Sequence, residues 1–377
     1  MRIVIATEFF PKSEKVEIRG GVEARAFHVA KQLAKTHDVT ILTTREHGTE
    51  KKDEFLGIEV LRFGKERKYS QKGSLVERLS FITEGGKIKR EFDIVDGYNF
   101  ISYPLAWEIA KRNKVPAIAT YHEVWVGRWV KNIGVGGVLG ELLERYVLSR
   151  DWDKFIAVSR FTEDKLRRAG VRGRKIEVIP NGIEIKEYLK TKVKKFPLPT
   201  ICCISRLVEY KHVNDLLNAL AIVKEEIPEI RCKIIGSGPE EKRLKSLAIR
   251  LNLEKNVEFM GFIEEHREVI KVLKASHIFC LPSVTEGFGL VLLEAMASQV
   301  PYVASEIEPL VEVTDRKGGL FFKPLDCKDL ADKLLQMLKE RKMQKKCIKE
   351  GLQQVQNYEW KSIVKRIEEV YKSCQRR

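Results

Sequence analysis

Short β-rich runs alternate with longer amphipathic segments from the first residue onward, and this alternation limits the chain to βαβ units on mostly parallel sheets. The first series of strand candidates covers 2–6, 38–43, 58–63, 93–97, 117–120, 154–158 and 176–179, with helices such as 22–35 and 161–169 between them. A second series covers 200–204, 232–235, 257–260, 278–281 and 302–304. Between the two lies 186–199, with five lysines, Pro197 and Pro199, which reads as a linker. The stretch 327–372 is helical in period and is expected on the outside of the second sheet or back on the first domain. The expected fold is α/β, with two doubly wound, Rossmann-like domains facing a cleft where ligands bind. The division is 1–190, 191–355 and a C-terminal helix, 356–377, returning to the first domain.

A chain of 377 residues has ample length for two cores. No stretch approaches the roughly 20 apolar residues of a membrane span, and the N-terminus lacks a signal-peptide pattern, so a cytoplasmic protein is expected. The seven cysteines are odd in number, without CxxC spacing, and several sit in apolar runs, which reads as buried free thiols. The net charge of +16 is uneven: residues 1–200 hold 39 basic and 27 acidic side chains, residues 201–377 hold 30 and 26. The first half therefore invites an anionic partner, although a lysine-rich soluble face has the same composition.

The most informative segment is 283–297, Ser-Val-Thr-Glu-Gly-Phe-Gly-Leu-Val-Leu-Leu-Glu-Ala-Met-Ala. Gly287 and Gly289 permit a tight turn after a strand and before a helix expected to start near Phe288. The amides of Phe288, Gly289 and Leu290 would then favour phosphate. Glu286 and Glu294 bracket them and suit hydroxyls at two ends of one ligand, a use that requires cations nearby. Arg206 and Lys211 supply these directly after the strand 200–204. Gly236, in Gly-Ser-Gly-Pro-Glu, opens another strand-to-helix turn. In the first domain Gly20 and Gly21 allow an anion close to the backbone, but neither a GxGxxG fingerprint nor a P-loop is present. His122 sits just past a strand end, either as a site residue or as a structural histidine.

The segment 124–133 carries Trp125 and Trp129 one helical turn apart with Arg128 and Lys131 interleaved, and 134–148 continues it with Val135, Val138, Leu139, Leu142 and Leu143. This suits an interfacial segment or a wall for a lipid-linked acceptor, and equally a helix packed in the first core. Lys65, Arg67, Lys68, Lys72, Lys87, Lys89 and Arg90 add cations for an anionic membrane surface.

Taken together, these residues resemble the retaining glycosyltransferases of family 4, which have the GT-B fold. The resemblance rests on 19–23 (Arg-Gly-Gly-Val-Glu), 179–183 (Ile-Pro-Asn-Gly-Ile), Ser205-Arg-Leu with Lys211, Gly236-Ser-Gly-Pro-Glu, and Glu286-Gly-Phe-Gly with Glu294, in family order. It implies transfer of a sugar from a UDP- or GDP-type nucleotide sugar to a lipid-linked, glycan or small-molecule acceptor, with no cofactor and no metal. Arg206 and Lys211 would bind the donor diphosphate, aided by the amides of Gly21, Phe288, Gly289 and Leu290, with Gly20 and Gly236 alongside. Glu286 would hold donor-sugar hydroxyls, Glu294 the ribose, the backbone at Phe262 the base, and His122 a sugar hydroxyl. The resemblance further implies same-face attack, the departing phosphate oxygen taking the acceptor's proton. Two departures are His212, where the family has Gly, and 305–308 (Ser-Glu-Ile-Glu) in place of a Gly-Gly turn facing the donor sugar. The rivals are a sugar-nucleotide epimerase of similar architecture and a basic nucleic-acid-binding protein. The latter lacks an aromatic-basic strand face or recognition helix, so no nucleic-acid partner is expected.

Overall fold

The structure, a computed structural model, describes residues 1–13, 18–67 and 75–375. Its chain forms two compact units, Met1–Gly182 with Trp360–Arg377, and Ile183–Glu359.

The first unit carries β1 (Arg2–Ala6), β2 (Asp38–Glu46), β3 (Lys52–Phe55), β4 (Ile58–Arg67), β5 (Ile94–Gly97), β6 (Ala117–Tyr121), β7 (Lys154–Ala157) and β8 (Ile176–Val178). They form one eight-stranded sheet in the order β3-β4-β2-β1-β5-β6-β7-β8. All neighbours are parallel except β3 with β4. That edge strand is absent from the sequence reading because Lys52-Asp53-Glu54 has no apolar alternation. It is made by a two-residue turn, Leu56-Gly57, with φ of 54° and 71° at its two positions. The central strands are buried on both faces, as parallel strands covered by helices must be. Ile3 and Ile5 pack in one core with the helix Gly21–Leu33, while Val4 and Ala6 pack in the other with the helix Ser102–Asn113.

The helix Trp360–Gln375 is part of this unit and of its first core. Trp360, Ile363, Val364, Ile367, Val370, Tyr371 and Cys374 form its buried stripe. Trp360 stacks on His28 at 5.1 Å, and a Cβ on Gly182 would overlap the Trp360 ring. The glycine of the Ile-Pro-Asn-Gly motif therefore answers to packing.

The second unit carries β9 (Thr200–Ile204), β10 (Arg231–Ile235), β11 (Val257–Gly261), β12 (Ile278–Leu281), β13 (Tyr302–Ser305) and β14 (Gly319–Phe322). Its parallel sheet has the order β11-β10-β9-β12-β13-β14. The strand order reverses between β9 and β12, which makes their carboxyl ends the switch point where ligands bind in such sheets. Cys202, Cys203, Cys232 and Cys280 are buried free thiols on these strands, and burial raises the pKa of each.

The expected linker is displaced. Ile185–Lys190 is a helix of the second unit, because Ile185 and Tyr188, three residues apart among the lysines, turn one apolar face inward. The units divide at Gly182/Ile183 and at Glu359/Trp360, and not at the expected 190/191 and 355/356.

Candidate donor site

The loop after β9 presents Arg206 and Lys211, and the loop after β12 presents Glu286, so the three stand at the switch point of the second sheet. Lys211 Nζ donates to Glu286 Oε1 at 2.5 Å, with both side chains largely buried. The amide of Val284 donates to the carbonyl of Tyr210 at 3.0 Å and ties the two loops together. Arg206 is exposed, and its guanidinium donates to the Tyr210 hydroxyl at 2.5 Å.

Gly289, at φ 90°, is the N-cap of the helix Leu290–Ala297, which starts two residues later than expected. A left-handed cap requires the glycine, and the first amides after it lack intrahelical acceptors. The Phe288 side chain is buried edge-on against Tyr358, 6.0 Å between centroids, so Phe288 has only its backbone to offer a ligand.

Glu294 lies on the same helix, and burial raises its pKa. The helix Ile185–Lys190 packs on this one, and its Tyr188 hydroxyl contacts His266 Nε2 at 3.0 Å. Sequence reasoning missed this packing, because Tyr188 lies in the lysine-rich segment read as linker. Phe262 follows Gly261 at the end of β11 and is 49% exposed, an aromatic side chain left open on the rim.

Gly236 is required by packing. At φ 130°, its missing Cβ would overlap the carbonyl oxygen of Ser205 and lie 2.9 Å from its carbon. Gly238 is pressed likewise against Leu207, whose amide donates to Ser237 O at 2.9 Å. The two glycines let the β10 loop lock the loop that carries Arg206. His212, the departure from the family glycine, adopts φ 47°, and its Nδ1 contacts Asp215 Oδ2 at 3.1 Å. The position is left-handed, which explains why glycine suits it. Of 305–308, Glu306 pairs with Arg316 and Glu308 opens the helix Glu308–Thr314.

In the first unit, Gly20 and Gly21 open the helix Gly21–Leu33, and a Cβ at either would meet nothing within 4 Å. Their glycines are not demanded by the fold. Arg19 is held by Glu23 at 2.7 Å and Glu46 at 2.6 Å, so the charged ends of this motif are structural. His122 directly follows β6 and is half-buried, with its Nε2 buried without a hydrogen-bond partner.

The tryptophan pair is corrected. Trp125 lies in a turn, and only Trp129 begins a helix, Trp129–Ile133. Their rings pack 5.0 Å apart, Trp129 lies 4.6 Å from Phe100, and its Nε1 donates to the buried Glu144 at 2.6 Å. Glu144 also accepts from the Trp125 amide, and burial pushes its pKa up to about 7. Both rings thus pack on neighbouring side chains while staying partly exposed, and Arg128 and Lys131 are exposed. The outward apolar residues belong to the next helix, Gly137–Leu148, and the residues before it: Val135 at 87% exposure, Leu139 at 59% and Leu142 at 60%, with Val138 and Tyr146 beside them. Among the expected surface cations, Arg67 is buried against Glu8 and Thr44, Arg90 pairs with Glu59, and Lys68 and Lys72 lie outside the described residues.

Among the described residues, no group of three or more His, Cys, Asp or Glu is placed to hold a metal ion, and no helix is long and apolar enough to cross a membrane.

Residues 19–187 match the family described as Glycosyltransferase Family 4, and residues 185–354 match Glycosyl transferases group 1. The gpi3 subunit of phosphatidylinositol N-acetylglucosaminyltransferase from Schizosaccharomyces pombe is 25% identical across 98% of this chain and 80% of its own length. A Corynebacterium glutamicum protein named as a GDP-mannose-dependent phosphatidylinositol monomannoside mannosyltransferase is 29% identical across 49% of this chain and 53% of its own. Sucrose-phosphate synthase from Thermosynechococcus elongatus superposes with a TM-score of 0.84 at 20% identity, covering 98% of both chains. Anabaena Alr3699/HepE, in complex with UDP and glucose, superposes at 0.78 and 19% identity, covering 99% of this chain and all of the other. The fold is GT-B.

Proposed function

This chain belongs to the family 4, group 1 glycosyltransferases, and from that membership we propose that it moves a sugar from a nucleoside-diphosphate donor to an acceptor hydroxyl, with retention and without a metal ion. The observation that carries this reading is the Lys211–Glu286 pair at the β9/β12 switch point. A cation and a carboxylate held together there serve the two halves of a nucleotide sugar: Lys211 with Arg206 the diphosphate, Glu286 the sugar hydroxyls. The first-turn amides at Phe288, Gly289 and Leu290 add donors for phosphate oxygens. Glu294 takes the ribose, Phe262 lies against the base, and His122 bonds a substrate hydroxyl. In the transfer, the bond from the anomeric carbon to the phosphate oxygen breaks while the acceptor oxygen bonds the same face. The acceptor's proton passes to the departing phosphate oxygen, whose charge the two cations stabilise.

A thermal-shift screen across UDP-, GDP- and ADP-sugars tests donor binding, since a ligand at 100 times its dissociation constant stabilises by about 2.7 kcal/mol. No shift with any of them would sink the reading. Gly20 and Gly21, which the fold does not require, serve close approach of the substrate. Gly20→Ala is therefore expected to leave stability within about 0.5 kcal/mol of wild type while raising the donor KM. An unchanged KM would remove the loop from the site.

The acceptor is a lipid-linked hydroxyl, and the enzyme reaches it from an anionic membrane surface. Support comes from the names of the two relatives above, which act on phosphatidylinositol lipids. It comes also from the exposed apolar stripe of Gly137–Leu148, flanked by the exposed Arg128, Lys131 and Arg145. Burying Leu139 and Leu142 in the acyl boundary gives up to ~1.5–3 kcal/mol each, so Leu139→Ser with Leu142→Ser should weaken binding to anionic vesicles at least ~10-fold. Sedimentation that is indifferent to this double variant, or to anionic lipid, would refute the membrane role.

A further inference from the structure

Several helices of this chain share one electrostatic pattern, and one helix reverses it. In Arg160–Arg168, Glu241–Arg250, Cys327–Lys339 and Trp360–Gln375 an acid stands one turn before its base: Glu163–Arg167, Glu241–Lys245, Asp329–Lys333 and Glu368–Lys372. That order suits both the i,i+4 geometry and the helix dipole. The helix Arg341–Val355 of the second unit runs the other way. It opens with Arg341, Lys342, Lys345, Lys346 and Lys349, all exposed, and no acid lies among them. Its one acid, Glu350, follows them and pairs with Lys346 at 3.8 Å. Among the described residues, Arg341, Lys342, Lys345 and Lys349 make no ion pair.

These cations work against the helix that carries them. Arg341 and Lys342 lie in the first turn, where the dipole favours negative charge. Arg341 with Lys345, Lys342 with Lys346, and Lys345 with Lys349 are like charges at i,i+4, which destabilise a helix. The helix is held instead by its opposite face. Cys347, Gly351 and Val355 are buried there, and a Cβ on Gly351 would lie 3.1 Å from both Gly318 and Met296. Met296 belongs to the helix Leu290–Ala297, which also carries Glu294. This packing turns all five cations outward. A local preference broken with no compensating contact inside the fold marks a surface kept for a contact outside it.

We propose that the exposed face of Arg341–Val355 attaches the second unit to anionic lipid headgroups by charge alone. From 341 to 349 the strip spans about 12 Å, at 1.5 Å per residue, and presents two adjoining rows of cations. Such a strip meets a plane of headgroups along its whole length, and each cation adds to the attraction. Four of the five are lysines, point charges that need no fixed geometry in the acceptor, and fluid headgroups offer none. The strip holds no aromatic residue to stack on a base, which disfavours single-stranded nucleic acid. It holds no exposed large apolar residue either, so this face lies on the surface without inserting, in contrast to the stripe of Gly137–Leu148. The proposal rests on the membrane reading above, but on a separate surface and a separate force.

The test is co-sedimentation of the full chain with vesicles of phosphatidylcholine and phosphatidylglycerol in equal parts, and of phosphatidylcholine alone, at low and high salt. Lys342→Gln, Lys345→Gln and Lys349→Gln combined should weaken binding to the mixed vesicles at least ~10-fold at low salt. The Tm of this variant should equal or exceed that of wild type, because like-charge repulsion and opposition to the dipole are both relieved, so lost binding would not reflect lost folding. Wild-type affinity in the variant would overturn the proposal. A lowered Tm would overturn it too, since the cations would then serve the fold. If wild-type binding ignores salt and anionic lipid, charge is not the force and the proposal fails. Loss of binding in Leu139→Ser with Leu142→Ser, but not in the triple variant, would keep the membrane reading and remove this surface from it. A wild-type chain that binds neither vesicle removes both. Tighter binding to duplex DNA than to mixed vesicles, abolished by the same three substitutions, would assign the face to nucleic acid instead.

Discussion

Lys211→Ala is expected to lower sugar transfer by roughly 10²–10³-fold, the size of effect seen when one placed donor to a developing oxyanion is removed. Two losses combine. The departing diphosphate loses its most enclosed cation, since Lys211 is largely buried whereas Arg206 is exposed. Glu286, whose partner at 2.5 Å is Lys211, is left as an unpaired and mostly buried carboxylate close to the phosphate position. The effect should fall mainly on kcat, because negative charge on the leaving oxygen is greatest in the transition state. Steady-state transfer with the donor found by thermal shift is the measurement. Activity within about threefold of wild type would dismiss the leaving-group role, because a placed cation contributes more than that.

The second large effect is structural. Gly236→Ala would force a methyl into the carbonyl oxygen of Ser205 at a backbone φ of 130°, where side chains rarely sit. The obstacle is backbone on a central strand exit, which cannot swing away. The cost is roughly 3 kcal/mol or more from overlap and strain together. For a unit of this size it should lower Tm by about 10 °C. Because Leu207 and Ser237 join the two loops, the displaced segment is the one that carries Arg206, so donor affinity should fall in whatever fraction remains folded. Ser237→Ala is the control: the bond from Leu207 reaches the Ser237 main-chain carbonyl and survives the change. A Gly236→Ala protein with wild-type Tm would show that the loops are not locked as described.

Much of the fold was legible because its signals are local. β1, β9, β10 and β12 are short apolar runs, and the turn into Leu290–Ala297 announces itself through Gly287 and Gly289. The edge strand Lys52–Phe55 escaped notice because hydrogen bonding to β4, and not apolar alternation, defines it. The helix Ile185–Lys190 was hidden by lysines whose charge resembles a linker, while two apolar residues decide its packing. Arg206, Lys211 and Glu286 could be named because each lies just past an apolar strand. That Lys211 and Glu286 touch could not, since 75 residues separate them. The tryptophans misled for a related reason: composition shows that an aromatic residue is present, but a helix of unknown extent does not show which way it points.

By itself, then, the sequence determined the alternation of strand and helix, the two-sheet class, the family, and the short list of charged residues at strand ends, all of which follow from spacing along the chain. Only the tertiary structure decided which glycines are packing contacts and which are open, and that the exposed apolar side chains stand on Gly137–Leu148 while Trp129 packs on Phe100 and bonds Glu144. Those outcomes depend on what stands opposite a residue across space: a carbonyl against a missing Cβ, a buried carboxylate bonded to an indole.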